Sequence, residues 1–261
     1  MSSNLRFSAN LKWLFTELPF TERFHAAAKS GFTAVEYASP YEFPAARLKA
    51  LLDEHGLKQI LFNTPAGEPG TVKASGQACH PDSIAAFRND FDRALDYAAG
   101  LECAMIHLQA GIRQAGVAQE RARDTFVENL RWAAEQALRR HLDIVLESIN
   151  PHDIAGFFLQ RQSQALDVIQ QAGVSNVGLL FDIYHCQRGE GDVTTKMREF
   201  MPWIKHVQVA ESPSRNEPGE GELNWPFLFN ELRTLQYAGW IGCEYRPKAG
   251  TEAGLSLVIP V

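Results

Sequence analysis

The chain has 261 residues, 45% of them hydrophobic, which is enough to bury a substantial core within one domain, residues 1–261. Its 25 Lys and Arg residues against 31 Asp and Glu give a formal net charge of −6, so we expect neither nucleic acid nor an anionic membrane as a partner. No apolar run approaches the length of a membrane span, and charged residues interrupt the N-terminal apolar residues, unlike in a secretory signal. The four cysteines are scattered without a C-x-x-C pair, which predicts a soluble, cytoplasmic protein with reduced thiols.

Eight short apolar, β-prone runs follow one another along the chain. They occupy residues 5–10, 34–38, 59–63, 103–108, 143–147, 177–181, 205–209 and 241–245. Segments with apolar residues at helical spacing separate them, the longest from about residue 120 to residue 140. This alternation is typical of an α/β fold with a parallel sheet covered by helices. An open doubly wound sheet gives the same alternation, but eight strands and a length near the roughly 250 residues of a barrel favour a single (β/α)8 TIM barrel.

Two predicted connections are longer than the usual loop between a strand and a helix. Residues 64–80 contain three glycines and two prolines, and residues 211–222 contain two of each. Both follow strands, so they belong to the C-terminal face of the predicted barrel, where this architecture carries its active sites. We expect these connections to form the lid and the loop that grips the substrate.

Four polar residues lie at the downstream ends of the last four apolar runs. They are Glu147, Asp182, Gln208 and Glu244, at intervals of 35, 26 and 36 residues. A barrel in which each strand delivers one residue to a common mouth produces this rhythm. Three carboxylates and an amide oxygen suit a hard or borderline divalent cation, so the spacing predicts a metal site.

Some of these residues also have ordinary structural interpretations. A lone Glu147 suits a solvated strand end, and Asp182 suits the N-cap of the following helix. Gln208 is flanked by valines, where neither a turn nor a cap explains it, and burying an unpaired amide costs about 1–3 kcal/mol. Glu244, within IGCEY, poses the same question. Four coincidences are harder to accept than one shared site.

Three further polar residues lie on predicted strands. Glu36 and His107 occupy similar strand-end positions in the first half of the barrel. His107 is as typical of a satisfied core histidine as of a substrate contact. His206 precedes Gln208 by two residues on the same strand face, and we expect it deeper in the barrel with a structural role.

The predicted site suits chemistry next to a carbonyl group. A divalent ion bridged by Glu147 and Glu244 can bind a hydroxyl and a carbonyl on adjacent carbons and stabilise the enediolate formed when a proton leaves. A carboxylate on either side can take a proton from one carbon and return one to its neighbour. The residues therefore predict aldose–ketose isomerisation or epimerisation. Hydrolysis by metal-bound water and dehydration are alternative uses of the same groups.

Longer segments carry a family resemblance over nearly the whole chain. They are RFSANL, FTAVEY, PYEF, NTPAG, LESIN, FDIYHCQR, HVQVAESPSRNEPGEGELNWPFLF, GWIGCEYRP and TEAGL. In these segments the chain resembles the hydroxypyruvate isomerases, within the larger group of xylose-isomerase-like barrels. Close relatives of that family are similar to 2-oxo-tetronate isomerases, and more distant barrels epimerise ketoses at carbon 3.

The resemblance implies roles for particular residues. It implies metal ligation by Glu147, Asp182, Gln208 and Glu244, and makes the two glutamates the acid–base pair. It also implies substrate contacts by His185 in the DIYH segment and by Arg215 in the loop after the seventh strand, and a guanidinium group suits a substrate carboxylate. His107 is a further candidate contact. The donor set favours Mg or Mn as the divalent metal ion, with Co and Zn as alternatives.

Three departures from the family pattern bear on specificity. Ser148 stands where the family usually has Pro, Asn216 where it has His or Gly, and the loop from residue 63 to residue 79 is shorter and lacks a Trp. None of these changes touches the predicted metal ligands. They affect the lid and the choice of acid substrate.

The first functional hypothesis is an intramolecular oxidoreductase that isomerises a small hydroxy-oxo acid. Its type reaction converts hydroxypyruvate to 2-hydroxy-3-oxopropanoate, tartronate semialdehyde. Alternatives are a 2-oxo-tetronate isomerase, a ketose 3-epimerase, a phosphodiesterase similar to endonuclease IV, and a non-enzymatic ligand-binding barrel. The phosphodiesterase requires several zinc ions, more histidines and a basic surface. Residues 223–229 are expected to expose Trp and Phe side chains that suit an interface in a homo-oligomer.

Overall fold

The computed structural model describes residues 5–255, which form a closed barrel of eight parallel strands. Strand order follows chain order, and β8 pairs with β1 to close the barrel. The strands are β1 (Arg6–Asn10), β2 (Ala34–Glu36), β3 (Lys58–Asn63), β4 (Met105–His107), β5 (Asp143–Glu147), β6 (Val177–Asp182), β7 (Ile204–Val209) and β8 (Trp240–Cys243). All eight predicted strands are confirmed, with each end within two residues of its predicted position.

Helices cover the outside of the barrel in the part of the chain that the structure describes. They are α1 (Arg23–Lys29), α2 (Ala45–Glu54), α3 (Ile84–Leu101), α4 (Gln119–Leu138), α5 (Gln162–Ala172), α6 (Ile183–Gly189), α7 (Val193–Phe200), α8 (Trp225–Thr234) and α9 (Thr251–Gly254). The longest, α4, corresponds to the amphipathic segment predicted between residues 120 and 140. Between residues 5 and 255, no helix has both the length and the apolar character needed to cross a membrane.

Alternation along the strands separates two groups of buried apolar residues. One large group, which includes Leu146 and Phe181, packs between the strands and the helices. A separate small group consists of Leu61, Val145 and Leu180. Because strand side chains alternate between faces, Val145 points the same way as Glu147. The small apolar group therefore fills the inside of the barrel beneath the polar strand ends.

The interior lined by β1, β2 and β7 is polar. It contains five buried side chains, which are Ser8, Asn10, Glu36, His206 and Gln208. His206 Nε2 lies 2.8 Å from Glu36 Oε2, consistent with the structural role predicted for this histidine. The barrel thus carries hydrogen-bonding groups from its interior up to the predicted active face.

The segment 223–229 differs from the prediction. Trp225, expected to be exposed, is only 3% exposed, and its indole N–H donates to Glu211 Oε2 at 2.7 Å. Phe229 is partly buried against Phe7, whereas Phe227 is 44% exposed. The prediction for Trp225 was wrong because the loop after β7 folds around a buried carboxylate, which gives the indole nitrogen a partner beneath the surface.

Candidate active site

The predicted metal ligands converge at the C-terminal mouth of the barrel. Glu147 ends β5, Asp182 ends β6 and Glu244 follows β8 directly. One ligand atom from each, together with one from His185, lies within 4.8 Å of the others. Gln208 lies opposite Asp182 in the pairing of β6 with β7. The closed parallel barrel brings these strand ends together, as the spacing predicted.

Several acceptor atoms at this mouth are buried without a hydrogen-bond partner among the described residues. They are Glu147 Oε1, Asp182 Oδ2 and Gln208 Oε1. An unsatisfied buried acceptor costs free energy, and a cation bound at the mouth would give these three oxygens a partner. Oxygen donors of this kind suit a divalent cation such as Mg or Mn. The residues present therefore fit the predicted metal ion.

Asp182 combines the two roles that the sequence left open. Its Oδ1 accepts from the backbone N–H of His185 at 3.1 Å and so caps α6. Its Oδ2 is the oxygen left without a partner. One carboxylate therefore both begins the helix and offers an atom to the site.

Gln208 finds its hydrogen-bond partner across the barrel. Its Nε2 donates to Glu36 Oε1 at 2.7 Å. Its Oε1 is the atom without a partner. The buried amide is therefore satisfied on its nitrogen side and available on its oxygen side.

Glu244 is held by donors on both oxygens. Asn10 Nδ2 donates to Oε1 at 3.1 Å and Arg215 Nη2 donates to Oε2 at 2.5 Å. Arg215 also donates from Nη1 to Asp153 Oδ2 at 2.9 Å. Its guanidinium group lies over the rings of Trp13 and Tyr184, 4.8 and 4.9 Å from their centroids. Arg215 is thus a fixed cation between two carboxylates.

The site shifts the pKa of each carboxyl group. Burial raises the pKa of Glu147 well above its usual range, and the negative charges of Glu244 and Asp182 raise it further. Burial also raises the pKa of Glu244 and of Asp182, although the Arg215 guanidinium opposes the shift in both. A bound cation would favour the ionised forms of all three groups.

His185 has a defined tautomer because Asn150 is fixed. Asn150 Oδ1 accepts from the backbone N–H groups of His152 and Asp153, each at 3.0 Å. The amide nitrogen of Asn150 must therefore face His185 Nδ1, 2.6 Å away, and donate to it. Burial lowers the pKa of His185 to about 3, so the ring is neutral and its proton is on Nε2. A protonated Nε2 is a donor, which suits a substrate oxygen and not a metal ion.

His107 differs from His185 because its Nε2 is an acceptor and not a donor. Its Nδ1 lies 3.1 Å from Asn63 Oδ1 and donates to it. Its Nε2 is buried without a hydrogen-bond partner among the described residues and lies 3.7 Å from Glu147 Oε2. Burial lowers the pKa of His107 to about 3, and the nearby His206 and His185 lower it further. His107 is therefore a neutral acceptor beside Glu147.

A cavity of about 500 Å³ opens beside this cluster. Its lining includes three cations, which are Lys12, Arg215 and Arg246. All three lie over the ring of Trp13, between 4.8 and 5.4 Å from its centroid. Sequence reasoning found Arg215 but missed Lys12 and Arg246. Their positions just beyond the ends of β1 and β8 are the signal that could have identified them.

Comparisons with known proteins agree with this geometry. The family model of the xylose isomerase-like TIM barrel matches residues 24–259. A 2-oxo-tetronate isomerase of Cupriavidus necator is 45% identical over 98% of both chains. A hydroxypyruvate isomerase of Escherichia coli is 41% identical over 98% of this chain and 99% of the relative. A solved structure from Brucella melitensis, described as an AP endonuclease of family 2, is 38% identical, superimposes with a TM-score of 0.94 and covers 97% of both chains.

Proposed function

Because the chain belongs to the xylose isomerase-like TIM barrel family and is an isomerase, we propose that it interconverts the ketone and aldehyde forms of a small hydroxy-oxo acid. The first candidate reaction is hydroxypyruvate to 2-hydroxy-3-oxopropanoate. One observation carries the proposal: ligand atoms of Glu147 and Glu244 lie within 4.8 Å of each other, and Glu244 has a donor on each oxygen whereas Glu147 Oε1 has no partner among the described residues. Two carboxyl groups with different protonation preferences can serve as an acid and a base.

The residues that would hold the divalent ion are the predicted set, Glu147, Asp182, Gln208 and Glu244. A bound divalent ion supplies positive charge that stabilises the enediolate formed by proton removal next to a carbonyl. The unpartnered oxygens of Glu147, Asp182 and Gln208 support this assignment. His185 stands apart from the set because its Nε2 carries a proton.

Glu244 is the proposed base in the forward direction. Donors on both of its oxygens favour its ionised form, so it is ready to take a proton from C3 of hydroxypyruvate. Glu147 is the proposed acid, because burial and its acidic neighbours favour its protonated form. It returns a proton to C2. The C3 hydroxyl becomes the aldehyde as its proton passes to the C2 oxygen, and His185 Nε2–H is the proposed hydrogen-bond donor to that oxygen.

The cations of the cavity favour an acid over a neutral sugar. Arg215 already donates to Asp153 and to Glu244, so only part of its hydrogen-bonding capacity is available to a substrate. Lys12 and Arg246 form no ion pair with any described residue and line the same cavity. We propose that a substrate carboxylate binds among these three cations. A ketose 3-epimerase would use the same glutamates but needs no such group.

A second candidate substrate is the four-carbon acid 2-oxo-tetronate. The Cupriavidus necator relative is a 2-oxo-tetronate isomerase, and a cavity of about 500 Å³ has room for the additional carbon. The phosphodiesterase hypothesis has less support, because the cluster of described residues has three carboxylates and one histidine, and the chain carries a net charge of −6.

A turnover screen tests the proposal. Purified protein, loaded with Mn²⁺ or treated with EDTA, is assayed with hydroxypyruvate, 2-oxo-tetronate, D-fructose and an abasic-site DNA duplex. We expect turnover of one or both acids that EDTA abolishes and Mn²⁺ restores. Epimerisation of fructose without turnover of either acid would contradict the substrate class. Cleavage of the duplex alone would replace the isomerase assignment with the phosphodiesterase.

A further inference from the structure

A buried carboxylate lies beneath the proposed cation site. Glu36, at the end of β2, is 1% exposed and faces the barrel interior. Its oxygens accept hydrogen bonds from Ser8 Oγ at 2.9 Å, Asn10 Nδ2 at 3.1 Å and Gln208 Nε2 at 2.7 Å. His206 Nε2 lies 2.8 Å from Oε2. Glu36 is not a proposed ligand, yet it contacts the proposed ligand Gln208 and also Asn10, which contacts the proposed ligand Glu244.

Burying the Glu36 carboxylate costs free energy, so its presence in the barrel interior indicates a role beyond packing. A well-packed apolar side chain of similar size would often give equal or greater stability at such a position. Burial by itself would raise the pKa of Glu36, but His206 and the hydrogen bonds from Gln208 and Ser8 outweigh it and lower that pKa. Ser8, Asn10 and Gln208 all donate to the Glu36 carboxyl group, which therefore acts as an acceptor toward each of them.

A pure acceptor determines which way the Gln208 amide points. Oε1 of Glu36 accepts from Asn10 and from Gln208, and an acceptor oxygen can pair only with the NH₂ side of an amide. With Nε2 held by Glu36, Oε1 of Gln208 must turn away, and it is the atom that lacks a partner. Without Glu36, the amide could rotate and present N–H groups to a cation.

Asn10 connects Glu36 to Glu244 through hydrogen bonds. Its Nδ2 donates both to Glu36 Oε1 and to Glu244 Oε1, each at 3.1 Å. Its Oδ1 accepts from the backbone N–H of Lys12 at 3.1 Å, which fixes the amide in this orientation. Glu36 and Glu244 thus share one donor group.

The facing strand leaves space for the carboxylate. Gly242 on β8 has no side chain, and a Cβ built there would lie 2.3 Å from Glu36 Oε1 and 2.5 Å from Oε2. The backbone of Gly242 is not in the left-handed region, so its conformation alone does not require glycine. The absence of a side chain at Gly242 therefore leaves room for the Glu36 carboxylate.

We infer that Glu36 is a positioning residue that orients the oxygen of Gln208, and through Asn10 the carboxylate of Glu244, toward the divalent cation. This inference rests on the proposed function, because it assumes that a cation binds at the barrel mouth. Its effect is on cation affinity. Glu36 itself contacts the amide nitrogen of Gln208 and is not among the residues that line the cavity.

Two variants of Glu36 test whether cation binding depends on its hydrogen-bond acceptors or on its charge and size. Glu36→Met keeps the length of the side chain and removes both acceptors. Glu36→Gln keeps one acceptor oxygen for Gln208 and Asn10, while its NH₂ group can donate to Ser8 Oγ. Binding of Mn²⁺ is measured by equilibrium dialysis, with circular dichroism and thermal melting as checks of the fold. We expect Glu36→Met to weaken Mn²⁺ binding by about 10- to 100-fold and Glu36→Gln by less than about threefold.

A double-mutant cycle tests whether Glu36 acts through Gln208. In a Gln208→Ala background, Glu36→Met should lose most of its effect on Mn²⁺ affinity, because the Gln208 amide is absent and only the contact through Asn10 remains. An equal effect in both backgrounds would overturn the inference. Gly242→Ala, whose methyl group displaces the carboxylate, should also weaken Mn²⁺ binding and provides the test if Glu36→Met does not fold.

The possible failures are distinguishable. If the wild-type chain binds no divalent cation, the proposed cation site fails and this inference fails with it. If wild type binds Mn²⁺ and both Glu36→Met and Gly242→Ala bind it equally well, only the role of Glu36 is overturned. Equal losses in Glu36→Met and Glu36→Gln would also overturn it, because they would assign the effect to charge.

Discussion

Arg215 Nη2 donates to Glu244 Oε2 at 2.5 Å, which joins the loop after β7 to the carboxylate that follows β8. The same guanidinium lies 3.9 Å from Asp182 Oδ2 and binds Asp153 through its other nitrogen. Burial raises the pKa of Glu244, and Arg215 opposes this shift more strongly than Lys12 does. The loop thus helps determine the protonation of the proposed base.

Replacing Arg215 with Met should therefore shift the pH profile of turnover. Without the guanidinium, the pKa of Glu244 rises, so the base is lost to protonation at a higher pH than in the wild type. We expect kcat/KM to fall by about 100-fold and the acidic limb of the profile to move toward alkaline pH. Arg215→Lys should retain part of the shift. A uniform loss at every pH would indicate that Arg215 only binds substrate.

Exchange of solvent deuterium should distinguish the two glutamates. In Glu147→Gln, the proposed base remains, so hydrogen at C3 of hydroxypyruvate should exchange in D₂O although product formation falls by roughly 10²- to 10⁴-fold. In Glu244→Gln, neither exchange at C3 nor isomerisation is expected. NMR spectroscopy measures both, with an enzyme-free sample as the control for spontaneous enolisation. The reverse pattern would exchange the assigned roles, and wild-type product free of deuterium would indicate a hydride shift.

The strands and the convergence of the proposed metal ligands were predictable from the residue pattern that a parallel barrel requires. Its strands are covered on both faces, so they appear as continuous apolar runs, and a polar residue such as Gln208 stands out at once. Lys12 and Asn150 do not lie within apolar runs of this kind. They lie in irregular segments, where one polar residue resembles its neighbours until the fold brings it to the site. Glu36 was noticed only as a strand end, because its role depends on contacts across the barrel.

Divalent cations should stabilise the protein more strongly as pH rises. Burial raises the folded-state pKa of Glu147, Asp182 and Glu244, so without metal their contribution to stability is fully present below the ordinary carboxyl pKa and is lost as pH rises through the raised values. Mn²⁺ at about 100 times its Kd should raise the melting temperature by roughly 5–10 °C at about pH 8 and by less at about pH 6. Differential scanning fluorimetry measures the shift, and EDTA should remove it.

Asp182→Asn is the matched control for that effect. It keeps an oxygen to cap α6 but removes one of the negative charges, so its metal-dependent shift should nearly disappear while its fold is retained. A full shift in this variant would locate the cation elsewhere.

His107 and His185 act in the opposite direction, because their folded-state pKa values of about 3 destabilise the fold as pH falls below the ordinary histidine pKa.

The loop that carries Arg215 should depend on the contact between Trp225 and Glu211. Glu211 accepts from the indole N–H of Trp225 and from the backbone N–H groups of Ser212, Gly219 and Leu223. Trp225→Phe leaves one oxygen without its shortest hydrogen bond, and we expect a loss of about 1–3 kcal/mol in the free energy of unfolding with a higher KM. Chemical denaturation and steady-state kinetics measure the two effects.

Phe227→Ala provides the comparison for Trp225→Phe. Phe227 is on the first turns of the same helix and is largely exposed, so its removal should change the free energy of unfolding by less than about 0.5 kcal/mol. Sedimentation of this variant also tests the predicted oligomer. A lower oligomeric state than the wild type would place Phe227 in an interface, whereas an equal loss of stability in both variants would contradict the role of Glu211.

The tautomer of His185 leads to the last prediction. Asn150→Asp keeps an oxygen for the two backbone N–H groups but replaces the donor that faces Nδ1 with an acceptor. The proton must then move to Nδ1, and Nε2 loses the hydrogen proposed to hold the substrate oxygen. We expect kcat to fall by about 10- to 100-fold without weaker Mn²⁺ binding. Nitrogen-15 shifts of the imidazole should show the changed tautomer, and an unchanged kcat with that tautomer present would exclude His185 as the donor.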